Sequence, residues 1–132
     1  MLQAAAAQYQ KVQSTTSNQG ELLVALYDAL FKFLRGSRLC TENGHLTRSR
    51  ELNSKAYKIL AELEMALDPE VSPDLCMRLS GLYGFSMDRL RQADKTGDPE
   101  RIEEVIRVMT PLHEAWKLAV KKAIADGVKF SR

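Results

Sequence analysis

Four stretches of the chain repeat apolar residues at three- and four-residue intervals, and none alternates at the two-residue interval of a strand. The most strongly patterned is 21–34, ELLVALYDALFKFL, where Leu22, Leu26, Leu30 and Phe33 form a stripe with Leu23, Tyr27 and Leu34 beside it. A stripe that wide faces more than one neighbour. Asp28 and Lys32 stand four apart on another face, in the order that mildly favours a helix. So apolar a helix is not stable alone in water, and the rest of the chain is expected to cover it.

The punctuation between the stripes sets the expected boundaries. A first helix over 18–42 starts at Asn18 as N-cap, with Glu21 three residues on completing a variant of the capping box, and stops at Asn43-Gly44. Gly36 inside it costs about 1 kcal/mol relative to Ala unless close packing needs it. A second helix over 46–67 carries Leu52, Ala56, Ile59, Leu60, Leu63 and Leu67 as its stripe, with Tyr57 and Met65 off centre. Two prolines, Pro69 and Pro73, forbid its continuation. A third helix over 73–96 opens on Ser72 with Pro73 at the first helical position. Leu75, Leu79, Leu82, Tyr83, Ser86 and Leu90 line one side of it, while Cys76, Met77 and Phe85 lie elsewhere around it. Gly81 and Gly84 mark either close approach by another helix or local softness. A fourth helix over 99–126 repeats the cap-then-proline signal at Asp98-Pro99 and carries Ile102, Val105, Ile106, Met109, Leu112, Trp116, Ala119, Val120 and Ala123 at helical spacing. Pro111 is expected to kink it or break one turn near Arg107. Lys117, Lys121, Lys122 and Lys129 crowd its C-terminal end, where the helix dipole suffices to explain them.

Four amphipathic helices joined by short loops predict an all-α fold, an antiparallel four-helix bundle over 18–127. A mobile or short-helical N-terminal arm over 1–17 precedes it, with Tyr9 and Val12 as its anchors, and a tail over 128–132 follows.

Composition narrows the class. One hundred and thirty-two residues make one domain, and 45% apolar with 27% charged residues is ordinary for a soluble one. The net charge of +2, from 19 basic and 17 acidic residues spread along the chain, lacks the basic field of a nucleic-acid binder. No apolar run approaches the roughly 20 residues of a membrane span, so no membrane insertion is expected. Residues 2–7 are too short for a secretory signal. Cys40 and Cys76 read as reduced thiols, and the expected setting is cytoplasmic, as a monomer or weak homodimer.

Reactive chemistry is sparse. Neither His45 nor His113 has a second metal ligand three or four residues on, and a zinc site from Cys40, Cys76, His45 and His113 would need tertiary folding to gather it. Glu103-Glu104 reads as a solvated helix face. His113, in LHEAWKLA, is the one candidate phosphotransfer histidine, without small neighbours to admit a receiver domain. No catalytic residue, metal site or cofactor is expected, and the chain does not read as an enzyme. What remains is apolar surplus at Tyr57, Met65, Met77 and Phe85, which is either extra core or a groove for a partner helix with adaptable methionine walls.

Four segments in order resemble the FliS family of flagellin export chaperones. Ala7-Gln8-Tyr9-Gln10, leading through Thr16-Ser17 to Glu21-Leu22 and Leu26-Tyr27-Asp28, is similar to the family's tyrosine-bearing arm, helix cap and Leu-Tyr-Asp-Gly run. Ser54-Lys55-Ala56 to Leu63 and Ala66-Leu67-Asp68 resembles its second helix. Leu79-Ser80-Gly81-Leu82-Tyr83, Met87-Asp88-Arg89-Leu90 and Gln92-Ala93-Asp94 resemble its Leu-Tyr-x-Tyr-Met-x-Arg-Arg-Leu-x-x-Ala-Asn segment. Ile102 to Val105 and Glu114-Ala115-Trp116-Lys117 resemble its closing Ala-Trp motif. Ala29, Asn18-Gln19, Gly84-Phe85, Asp88 and Pro111 depart from the pattern.

The resemblance implies a cytosolic chaperone that binds the disordered C-terminal segment of flagellin, prevents its premature polymerisation and delivers it to a component of the flagellar type III export gate. It further implies that Tyr9 and Val12 cap a groove walled by Leu52, Ala56, Tyr57, Ile59, Met77, Leu82 and Phe85. Trp116 and Leu26 are then core, and Tyr27 is either core or groove. The competing expectations are a helical-bundle adaptor or phosphotransfer domain using His113, and a family member with a partner other than flagellin.

Overall fold

In the computed structural model, which describes residues 19–126, the helices are α1 (Gln19–Glu42), α2 (Leu46–Met65), α3 (Pro73–Thr96) and α4 (Pro99–Ala125). The fold is all-α, with no strand among the described residues. Tyr9, Val12, Asn18 and Lys129 lie outside the described residues.

The turns follow from local chemistry. Gly44 and Gly97 adopt φ of 76° and 69°, the left-handed region that glycine enters without a Cβ penalty, and so end α1 and α3. Ser72 is extended ahead of Pro73, although its side chain makes no cap hydrogen bond. The Asp98 carboxylate accepts from the Glu100 N–H at 3.0 Å and caps the start of α4. α2 ends at Met65, two residues before the stripe runs out.

The chain divides into two compact units. Leu30–Met109 holds the second half of α1, all of α2 and α3, and the first half of α4. Here α2 and α3 are antiparallel, since Asn53 meets Asp94, Tyr57 meets Arg91 and Glu64 meets Ser80. α1 is antiparallel to α2 by the same argument, Gly36 lying against Leu52 and Thr41 against Ser49. Leu30, Leu34, Ala56, Leu60, Ile102, Val105 and Met109 have no exposed surface, and Phe31, Tyr83 and Leu90 almost none.

The buried line of α1 runs through Tyr27, Leu30, Phe31, Leu34, Ser37 and Thr41, and Phe33 is only half-buried. Ser37 and Thr41 prolong that line with hydroxyls rather than apolar groups. With Ser49 and Asn53 they form a ladder in which Thr41 Oγ1 donates to the Ser37 carbonyl at 2.9 Å and pairs with Ser49 Oγ, while Ser37 Oγ donates to Asn53 Oδ1. Asn53 Nδ2 then donates to Asp94 Oδ1 at 2.8 Å, so buried hydroxyls and amide are satisfied.

The glycines separate the alternatives left open above. A Cβ on Gly36 would stand 3.2 Å from Leu52 Cδ1, so this glycine serves close packing. Gly81 and Gly84 have nothing within 4 Å of a Cβ position, so no described element approaches them.

In the other unit, the described residues are 19–29 and 110–126. Leu22, Tyr27 and Val120 are buried, whereas Leu26 and Trp116, expected as core, are half-buried. α4 stays helical through Pro111, so of the kink or broken turn expected near Arg107 the broken turn does not occur. His113 is 8% exposed, stacks on Tyr27 with ring centroids 5.9 Å apart, and places Nε2 2.6 Å from Asp28 Oδ1.

Candidate functional site: an open face on α3

Helical spacing gives α3 two unlike sides. Leu79, Tyr83, Ser86, Met87, Leu90 and Ala93 are buried. Met77, Gly81, Phe85 and Asp88, at intervals of four, four and three, share the opposite side and are all exposed. Met77 is 70% and Phe85 37% exposed, in a helix whose inward side is already filled. Because Gly81 and Gly84 carry no side chain and no described atom lies within 4 Å of a Cβ position on either, the backbone between Met77 and Phe85 leaves room among the described residues for close approach by another helix.

Two cation–aromatic pairs set the rim. The Arg89 guanidinium lies 4.8 Å from the Phe85 ring centroid, and Arg89 Nε is also 3.5 Å from Glu104 Oε2, so the ring is held from the α4 side. Arg91 lies 5.4 Å from the Tyr57 ring centroid and its Nη2 donates to the Tyr57 hydroxyl at 3.0 Å, fixing a half-buried tyrosine on the α2 side. Sequence periodicity did not single out Arg89 or Arg91. The readable signal was the four-residue step from Phe85 to Arg89, which stacks neighbours on a helix surface.

The structure distributes the expected groove wall over three environments. Met77 and Phe85 are exposed, and Tyr57 and Leu82 are half-buried. Leu52, Ala56 and Ile59 are buried at 8%, 0% and 4% exposure, Leu52 lying against Gly36 of α1. An occupant that covered Met77 and Phe85 would gain on the order of 1–2 kcal/mol from each.

No chemistry beyond binding gathers here. Among the described residues no group of three His, Cys, Asp or Glu side chains is placed to hold a metal ion, and Cys40 and Cys76 are free thiols. No described helix is long and apolar enough to cross a membrane. His113, the candidate phosphoryl acceptor of the competing reading, has its Nε2 engaged by Asp28 and is largely buried, geometry that does not favour attack on a phosphoryl donor.

The fold is similar to that of a solved bacterial flagellar chaperone, with a TM-score of 0.73 at 22% identity over 92% of this chain and 99% of that one. The class is therefore an all-α protein of the flagellar-chaperone fold. Sequence carries the assignment further. Residues 1–123 match the family described as Flagellar protein FliS. The chain is 30% identical over 118 residues to the flagellar secretion chaperone FliS of Bacillus subtilis, covering 89% of this chain and 87% of that protein. It is 35% identical over 104 residues to the flagellar secretion chaperone FliS of Salmonella typhimurium, covering 78% and 77%. The chain belongs to the FliS family, which is a family of chaperones and not of enzymes.

Proposed function

We propose that this protein is a cytosolic export chaperone that binds the C-terminal segment of flagellin, keeps it from polymerising and hands it to the flagellar type III export apparatus. The observation that carries the reading is the open side of α3, where Met77 and Phe85 flank Gly81 and Gly84 with no described side chain above them. A flagellin segment that is disordered until bound folds as a helix across these residues, with the glycines admitting its backbone and the two arginine-held aromatics bounding it. Ordering the segment offsets part of the gain from apolar burial, so the complex remains releasable at the export gate. Tyr9 and Val12 cap this face when flagellin is absent.

Titration calorimetry of the full chain with a peptide of the same organism's flagellin C-terminus tests the proposal. Binding with a negative heat-capacity change is expected, weakened at least about tenfold (about 1.4 kcal/mol) by Met77→Asp or Phe85→Asp. Leu39→Asp, at an exposed leucine on α1, is the control and should leave binding intact. An acid at Ile59 would test folding instead, because that residue is buried. Unchanged affinity in both α3 variants, with circular dichroism showing a folded helical protein, would refute the assigned face. No binding by the parent protein would refute the assigned partner.

A further inference from the structure

Beyond Phe85 the exposed side of α3 changes character. Asp88, Arg91 and Lys95, spaced three and four apart, are exposed and continue the side shared by Met77 and Gly81 toward the C-terminal end of the helix. Arg50, exposed on α2, joins them across the seam between the two helices, because its Nε and Nη2 donate to the Asp94 carbonyl at 3.4 and 3.3 Å. None of Arg50, Arg91 and Lys95 forms an ion pair among the described residues. The carboxylates beside them, Asp88 and Asp94, already accept from the side-chain amides of Gln92, at 3.0 Å, and Asn53, at 2.8 Å.

Both guanidiniums are anchored at one edge and open at the other. Arg91 Nη2 donates to the Tyr57 hydroxyl at 3.0 Å with the guanidinium 5.4 Å from the ring centroid, which leaves Nε and Nη1 without an acceptor among the described residues. Arg50 engages Nε and Nη2 on the Asp94 carbonyl and leaves Nη1 open in the same sense. A guanidinium carries its donors in a rigid planar fork, so one that is already anchored loses little further freedom when a carboxylate binds. Local helix physics accounts for only one of the three cations. Lys95 lies in the last turn of α3, where the dipole favours it, whereas Arg91 lies outside that turn and Arg50 sits in the N-terminal half of α2, where the dipole offers it nothing.

Resting on the flagellin reading above, we propose that the segment bound along α3 carries carboxylates where it runs past Phe85, and that Arg91, Arg50 and Lys95 receive them. Met77 and Phe85 supply apolar burial, which any amphipathic helix can satisfy. The three cations fix the register, since sliding the segment by one helical turn, about 5.4 Å, takes its carboxylates off the guanidiniums. Selection of the client then comes from matched charges at the end of an apolar face, more than from the apolar face itself.

Calorimetry of the full chain with the C-terminal peptide of the same organism's flagellin, at two salt concentrations, tests this. Between about 0.1 M and about 1 M salt the screening length falls from about 10 Å to about 3 Å, and affinity should fall several-fold with it. Arg91→Glu with Lys95→Glu should weaken binding at least about tenfold at low salt and remove most of the salt dependence. Lys117→Glu with Lys121→Glu, the same change of charge at exposed positions of α4, should alter affinity less than about twofold. Replacing the acids of the peptide by Lys one at a time should find at least one that restores binding to the Arg91→Glu, Lys95→Glu variant. Tyr57→Phe removes the hydroxyl that anchors Arg91 but keeps the ring and the cation, and should leave affinity nearly unchanged. A loss there as large as that of the charge reversal would overturn the proposal, because Arg91 would then act by holding the tyrosine. So would charge-reversed variants that keep their helical spectra and bind as the parent does at both salt concentrations, and if Met77→Asp still abolishes binding the flagellin reading stands without it. No binding by the parent would overturn both, and a flagellin C-terminal segment without Asp or Glu would overturn the charge matching alone.

Discussion

Where α1 closes and α4 begins, Ser37, Thr41, Ser49 and Asn53 are buried and hydrogen-bonded to one another, and Arg89 and Arg101 converge on Glu104. At the α2–α3 turn, Met65 and Val71 project into solvent among five carboxylates that have no ion pair among the described residues. Both regions belong to Leu30–Met109. The buried hydroxyls and amide of the ladder are hydrogen-bonded within the chain and join α1, α2 and α3. The carboxylates of the turn face solvent and form no ion pair among the described residues.

The largest effect expected from breaking this arrangement lies in the core that both regions share. Leu60 has no exposed surface, so Leu60→Ala should cost about 3 kcal/mol, read as a shift in urea midpoint at constant slope. A cost under about 1 kcal/mol would mean that the core is loose enough to collapse around the cavity.

Next is the hydroxyl ladder. Asn53→Ala should cost about 2 kcal/mol, because it leaves Ser37 Oγ only its longer contacts with Ser49 and removes the Asn53 amide donor from Asp94, in a site where Asn53 is 1% exposed. A double-mutant cycle with Ser37→Ala should show the two costs to be non-additive, since the groups share one network. Additive costs would show that the ladder is a set of independent contacts.

The ladder also marks where the sequence could be read and where it could not. Proline and glycine punctuation placed the ends of α1 and α3 well, because a fixed φ at Pro73 and a left-handed residue at Gly97 act on the backbone locally. Hydrophobic spacing placed the leucines of α2. It missed Ser37, Thr41, Ser49 and Asn53, because a buried polar residue becomes visible only when its partner on the neighbouring helix is known. The same limit applies to the candidate site. Met77 and Phe85 stood off the apolar stripe and could be read as surplus, whereas Leu52, Ala56 and Ile59 belong to the stripe, and the structure buries all three. Periodicity says which residues share a side of a helix, and only packing says which side is covered.

A smaller effect is expected at the charged cluster beside the ladder. Glu104→Gln removes the carboxylate shared by Arg101, at 2.8 Å, and Arg89, at 3.5 Å. These side chains are 22–27% exposed, so the loss should be about 1 kcal/mol, and smaller at high salt. Freed of Glu104, Arg89 keeps its place over Phe85, and flagellin-peptide binding should change little. A large loss of binding would show that Glu104 positions the ring through Arg89.

The smallest change in stability separates the inward and outward roles most cleanly. Gly81 is exposed in the interior of α3, its φ is not in the left-handed region, and a Cβ there would meet no described atom within 4 Å. Gly81→Ala should therefore stabilise the free protein by about 0.5–1 kcal/mol, by lowering the backbone entropy lost on folding. An ordinary solvent-facing position would show that gain and nothing else. If a partner helix lies against the backbone between Met77 and Phe85, the added methyl holds it away, and peptide affinity falls even as the melting temperature rises. Gly84→Ala should behave in the same way, and Gly81→Ala combined with Gly84→Ala should weaken binding further while keeping the helix intact. A protein that is more stable and binds as well as the parent would place the flagellin segment elsewhere, and the glycines would then be softness in α3 without a part in recognition.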